Sequence, residues 1–405
     1  MNYKPHLLQY KTKMRILCFS IDLPGHLDWG GYLQTAAELS RRGHDVIWVS
    51  GPAVKAPVRQ AGVNFAPVPV TGWQHAPPPL SPQLSPQERE HERRVRALTV
   101  WLNPSLVLQA VAELEKIAAE FHPDIILSEP FAAAGVLLAE KLELPLVVVG
   151  RPAQPPPQPN PRRLPNPATP YVEQLIDSAG LTGKYWDLDR GSPRSPYLHL
   201  DFFNREWYAD LPHISPQTTF CGGTPASQRP LDIQVDARPL VFITLGSTFA
   251  NDERFFRIAA ESALLNVARP VIATGKRVPK ILTSLKEAPP GPAIVRDWID
   301  YSQIFPHLAG IVHHGGMATT HAALVHGIPQ VIIPHAGDQY PQAARVTQAQ
   351  VGYGIRTRDF TMENAPLILT DIIWGEEFRA RAQEMALSLN ELGGPTRAAR
   401  AVESL

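Results

Sequence analysis

Short apolar runs, each leading through a turn into a segment with helical spacing, recur along this chain and leave few architectures open. Arg15-Ile-Leu-Cys-Phe-Ser20 is one such run, and a turn with Pro24 and Gly25 follows it. Tyr32 to Leu39 then carries apolar residues at helical spacing and ends in Arg41, Arg42 and Gly43. Cations in the last turn with glycine just beyond are a helix stop. Val46-Ile-Trp-Val49 is the next run. Such a strand–helix–strand unit implies two parallel strands of one sheet.

The pattern continues with helices over 105–121 and 132–142 and strands over 124–127 and 146–149. It restarts at Leu240 to Leu245, with helices over 253–266 and 319–325 and strands over 270–273, 293–295, 310–312 and 330–333. Nearly continuous apolar strands between helices indicate parallel sheets covered on both faces. Two series predict two doubly wound α/β domains, over 14–221 and 240–405. A polar, Gly- and Pro-rich linker over 222–239 separates them.

Composition narrows the function classes. Thirty-eight Lys and Arg balance 38 Asp and Glu, without a run of five like charges. General binding to nucleic acid or to an anionic membrane is therefore disfavoured. Cys18 and Cys221 are too few for a disulfide framework or a zinc site and fit a reducing, cytoplasmic setting. No apolar stretch approaches the roughly 18 residues of a membrane span, so no membrane anchor is expected. Met1 to Lys13 lacks the apolar core of a secretory signal, and the residues before Met14 read as a disordered extension. Proline, 42 of 405 residues, clusters in Ala76 to Gln87 and Arg151 to Tyr171. Proline lacks a donor and restrains its predecessor, so neither segment is expected to form a regular element. Both follow the carboxyl side of strands, where ligand loops gather.

Four loops hold side chains suited to chemistry. In His313-His-Gly-Gly-Met-Ala-Thr319, a strand runs into two glycines and a helix leaves them. The exposed amides of a helix start are a ready anion site, and both histidines and Thr319 can donate to phosphate oxygens. Pro334-His-Ala-Gly-Asp-Gln339 follows the next strand; Asp338 and Gln339 can bond vicinal hydroxyls, or Asp338 can cap a helix beginning near Tyr340. Gly246-Ser-Thr248 is another small-residue loop able to contact phosphate. Pro24-Gly-His26 sits at the mouth of the first strand, where an imidazole can serve as a general base.

Together these features resemble the GT-B-fold nucleotide-sugar glycosyltransferases of family 1, which include antibiotic, macrolide, sterol and plant enzymes. Trp298 through Gln339, with Ser302 to Pro306, His313 to Gly316 and Gly337 to Gln339, looks like their donor signature. Gly25-His26 and the helix stop at Arg41 to His44 resemble their opening unit. The resemblance implies two Rossmann-like domains facing a central cleft, with the last helix packing back on the N-terminal domain. It implies an inverting transferase that moves a hexose from a UDP- or dTDP-sugar to an acceptor hydroxyl, with no cofactor and no metal.

By position His26 is the general base, and Glu129 stands where the family orients that base with Asp. His313 matches the phosphate-binding histidine, with His314 as its alternative and Gly315, Gly316 and Thr319 beside it. Asp338 and Gln339 match the sugar-binding pair, Trp298 and Ile299 the segment under the base. Ser247, with Thr248, matches a small residue near the phosphates. His321 stands where plant members hold the ribose with Glu, so the choice of uridine or thymidine stays open.

Two other readings share the fold: a sugar-nucleotide epimerase and a catalytically silent sugar-nucleotide-binding partner subunit. The context of His26 is not that of the epimerases, and intact His26, Asp338 and Gln339 argue against silence. The proline-rich segments with Trp73, Trp101 and Tyr171 suggest a small hydrophobic acceptor.

Overall fold

The computed structural model describes residues 13–27, 30–75, 80–156, 166–225, 229–231, 233, 236–246, 252–275, 293–335 and 337–405. Residues 1–12 of the extension before Met14 and the middles of both proline clusters, 76–79 and 157–165, lie outside the described residues. The chain divides into two compact units. The first runs through Asp201 and takes in Leu211–Phe220 and Pro395–Leu405; the second comprises Phe202–Asp210 and Cys221–Gly394.

The strands of the first unit are β1 (Arg15–Phe19), β2 (Asp45–Ser50), β3 (Asn64–Pro67), β4 (Ile125–Ser128), β5 (Leu146–Val149), β6 (Trp186–Asp187), β7 (Ser192–Pro193), β8 (Leu198–Asp201) and β9 (Thr218–Phe220). Seven form one parallel sheet in the order β3-β2-β1-β4-β5-β8-β9, and β6 and β7 form a small antiparallel hairpin. The second unit holds β10 (Leu240–Thr244), β11 (Arg269–Ala273), β12 (Ile294–Arg296), β13 (Leu308–His313), β14 (Gln330–Ile332) and β15 (Gly352–Gly354). These make a parallel sheet in the order β12-β11-β10-β13-β14-β15. In each sheet the order reverses beside the first strand, between β1 and β4 and between β10 and β13. Ligands of such sheets bind beyond the carboxyl ends of the strands at that reversal.

Apolar residues alternate between the two faces of β10. Val241 and Ile243 enter one core with Phe255, Phe256 and Leu369, while Leu240 and Phe242 enter another with Ile304 and Phe305. In the first unit the helices Pro104–Phe121 and Ala133–Lys141 bury Val107, Leu114, Val136 and Leu137 against Phe19 and Ile126.

Both proline clusters end as helix starts, contrary to the expectation of no regular element. Pro86–Trp101 begins with a capping box in which Ser85 and Glu88 serve each other's amides, and Thr169–Ala179 carries proline in its first turn. Proline fits there because the first-turn amide has no helical acceptor to lose. One helical stretch, Val95–Phe121, is long and apolar enough to cross a membrane by length and composition, which the sequence expectation did not include. It is divided before Pro104, and its second part lays Val107, Ala110, Val111, Leu114 and Ala118 into the core.

Two long-range ties complete the first unit. The Tyr32 hydroxyl accepts from the Phe19 amide (3.0 Å) and donates to the Leu127 carbonyl (2.7 Å), joining β1 to β4 under the reversal. The last helix, Gly394–Glu403, returns to the start of the chain. Glu403 accepts from Nε2 of His44 (3.1 Å) and from Arg42 (3.0 Å), and Nδ1 of His44 accepts from the Met14 amide (3.1 Å). Replacing Tyr32 by Phe leaves a buried amide and a buried carbonyl without that hydroxyl. It should lower the unfolding free energy by about 1–3 kcal/mol, read from urea unfolding, with the far-UV spectrum unchanged.

Candidate functional site

The second unit gathers its candidate groups beyond the carboxyl ends of β10, β13 and β14. Strand alternation sends the neighbours His313 and His314 to opposite sides. His313 is fully buried: its Nε2 donates to Oε1 of Gln330 (3.0 Å), and its Nδ1 accepts from the Gly315 amide (3.2 Å). Burial, then the charge of His314, holds its pKa down at about 3. Both ring nitrogens of His313 are thus occupied within the fold, and they shape the turn.

The His314 ring lies between two glycines. A Cβ at Gly246 would stand 2.8 Å from its Cε1, and one at Gly316 2.6 Å from its Nε2. Gly315 has φ +89°, and a Cβ there would meet Ile332 Cγ2 at 2.6 Å. Glycine at 315 is thus required by backbone and by packing, and it lets the turn close onto β14. Burial, then the charge of His335, holds His314 down at about pKa 4, so it is a neutral imidazole near pH 7. Gly316 precedes the helix Met317–Val325 with no side-chain cap, leaving the first turn's amides for another acceptor. Thr319 is buried, its hydroxyl 3.0 Å from that of Tyr301.

Beyond β14, Asp338 precedes the helix Gln339–Gln348 and is exposed; its side chain makes no capping bond, so the alternative of a side-chain cap is not realised. Gln339 is buried and its Oε1 accepts from the His335 amide (2.7 Å). Trp298 follows β12 and is 75% exposed, while Ile299 packs against the core. His321 is buried edge-on to Phe203 (5.5 Å between rings), hydrogen-bonded to backbone at 202 and 222, and so is held inside the second unit. Ser247 and Thr248 lie outside the described residues. Asp252 and His335, which the sequence reading did not single out, face each other at 3.2 Å. The signal available was the place of His335 inside the motif that contains Asp338 and Gln339.

In the first unit His26 ends the short turn Pro24–His26 after β1, and its side chain lies outside the described residues. Glu129 follows β4 and is fully buried, its Oε1 accepting from the Ile21 amide (2.8 Å). That bond joins the two strand ends that flank the reversal. Trp73 and Trp101 both pack edge-on against Phe131 (6.4 and 5.4 Å), and with Tyr171 they belong to or border the first core.

Residues 275–405 match the family model described as the C-terminal domain of erythromycin biosynthesis protein CIII-like proteins. A demethyllactenocin mycarosyltransferase of Streptomyces fradiae is 25% identical over 418 residues, covering 96% of this chain and 86% of the relative. The solved glycotransferase of kitacinnamycin superposes with a TM-score of 0.75 at 23% identity, over 96% of this chain and 98% of that one. A spinosyn rhamnosyltransferase complexed with thymidine diphosphate gives 0.67 at 18%, over 96% and 100%. The expected GT-B fold is borne out, and the relatives in sequence and structure are glycosyltransferases.

Four histidines, His199, His313, His314 and His321, are held at about pKa 3 to 4, chiefly by burial. Each takes a proton on unfolding that it refuses when folded. Their neutral forms favour the fold fully above the ordinary histidine pKa of 6.5, and this is lost as pH falls toward 4. The urea midpoint should therefore fall steadily from pH 7 to pH 4. Imidazole NMR should show His314 neutral at pH 5; a midpoint near 6.5 would contradict the burial.

Proposed function

We propose that this chain, a GT-B glycosyltransferase, moves a hexose from a nucleoside-diphosphate sugar to a hydroxyl of a hydrophobic natural product, with inversion and without a metal ion. One observation carries the reading: the second sheet reverses between β10 and β13 at a glycine-lined turn, with a neutral imidazole and an uncapped helix start.

The donor's diphosphate rests on the Gly315–Gly316 turn and the first amides of the helix Met317–Val325. His314 donates to its oxygens, and Ser247 and Thr248 are assigned to the same phosphates by their place in the sequence. Asp338 and Gln339 take the sugar hydroxyls, and Trp298 with Ile299 supports the base. His26 takes the proton of the acceptor hydroxyl as its oxygen attacks the anomeric carbon. The bond to the diphosphate breaks, and its electron pair leaves on the phosphate oxygen. Fixed donors meeting that charge do what a metal ion does elsewhere. Glu129 holds the loop that carries His26 through its bond to Ile21. The choice between dTDP and UDP favours dTDP, since a relative of the same fold is complexed with thymidine diphosphate. Relatives that act in antibiotic biosynthesis support a polyketide-like acceptor. The chain's setting is cytoplasmic in this reading.

Incubation with dTDP- and UDP-sugars and a polyketide panel should give hexosylated products by mass spectrometry, with the anomeric configuration inverted by NMR. EDTA should leave the rate unchanged. His26→Ala should lower kcat about a hundredfold or more while diphosphate binding survives; near-normal turnover in that variant would show that another base acts.

A further inference from the structure

His335 is the imidazole that the donor reading leaves unused, and its surroundings define it closely. Its Nδ1 lies 2.8 Å from the Ile333 carbonyl and its Nε2 3.2 Å from Oδ2 of Asp252. A carbonyl and a carboxylate only accept, so each contact takes its hydrogen from the ring. The side chain is mostly buried, edge-on to Phe255 (6.2 Å between rings). Asp252 divides its two oxygens: Oδ1 caps the helix Glu253–Leu265 by accepting from the Phe255 amide (3.0 Å), and Oδ2 meets the imidazole. The backbone amide of His335 meanwhile holds Oε1 of Gln339 (2.7 Å), and the Gln339 backbone in turn packs against the Gly315 turn.

We propose that His335 and Asp252 form a positioning dyad of the donor site, which fastens His335, and through its amide Gln339, to the start of the helix Glu253–Leu265. The inference rests on the proposed donor role of His314. Two adjacent imidazoles are thereby given different tasks. His314 meets the ligand, while His335 is anchored on both sides and holds the neighbouring segment in place without contacting the diphosphate. A segment fastened from both sides needs no rearrangement when negative charge grows on the leaving group.

The test uses the full chain with UDP and dTDP as probes, by calorimetry, and with the sugar donor in steady-state kinetics. His335→Gln removes the ring that joins Asp252 to the Ile333 carbonyl. Asp252→Ser keeps a good helix cap and is too short to reach residue 335, so it separates positioning from helix stability. Both variants should bind the diphosphate about tenfold or more weakly and raise the donor KM to match, leaving the acceptor KM within about twofold. Should His335→Gln fail to fold, Asp252→Ser alone decides. Wild-type affinity in the variants, or an equal loss for donor and acceptor, overturns the dyad and leaves the proposed function standing. Failure of the wild-type protein to bind either diphosphate overturns both.

Discussion

A parallel strand cannot return directly to its neighbour, so each crossover helix must lie on one face of the sheet or the other. Where the chain changes face, two adjacent strands send their following loops apart and leave a gap at their carboxyl ends. Here that happens twice, between β1 and β4 and between β10 and β13. The placement of every candidate group follows from it. Glu129 and the turn with His26 flank the first gap; Gly246 and His314 flank the second. The side chains that hold these gaps in shape are themselves spent on the fold. Tyr32 bridges Phe19 and Leu127, and His313 bridges Gln330 and Gly315.

Much of this was legible in the residues, for a physical reason. Strands buried on both faces must be apolar throughout, so β1, β4, β5, β10, β13 and β14 stand out as runs between helical segments. The edge strands β3 and β15 lack that signal. Of β3 only Phe65 and Ala66 are apolar, and β15 is Gly-Tyr-Gly. The grouping of Phe202–Asp210 with the second unit was hidden too, because it depends on partners far along the chain. Trp207 donates to Gln342 and Asp210 pairs with Arg345, both 135 positions away. The sequence named His313 and His314 as alternatives without choosing. Alternation separates them once the end of β13 is known, and only the buried acceptor on Gln330 says which one turns inward. The Asp252–His335 contact spans 83 positions and left no local trace.

A site for a leaving diphosphate benefits from donors that are already oriented. The turn after β13 achieves this with small means: a left-handed glycine, a buried imidazole used as a clip, and a helix whose first amides have no side-chain competitor. The burial that depresses the histidines is the same burial that fixes them. Local rigidity and acid sensitivity are therefore two faces of one arrangement.

The tie between His44 and Glu403 joins residues 359 positions apart. A ribosome delivers the chain from its amino end, so β1 and β2 emerge long before the segment that covers their flank. Ala398, Ala399 and Val402, fully buried in the finished molecule, are made long after those strands. The first unit therefore completes its packing only after the chain of the second unit has been made, when the segment Pro395–Leu405 docks.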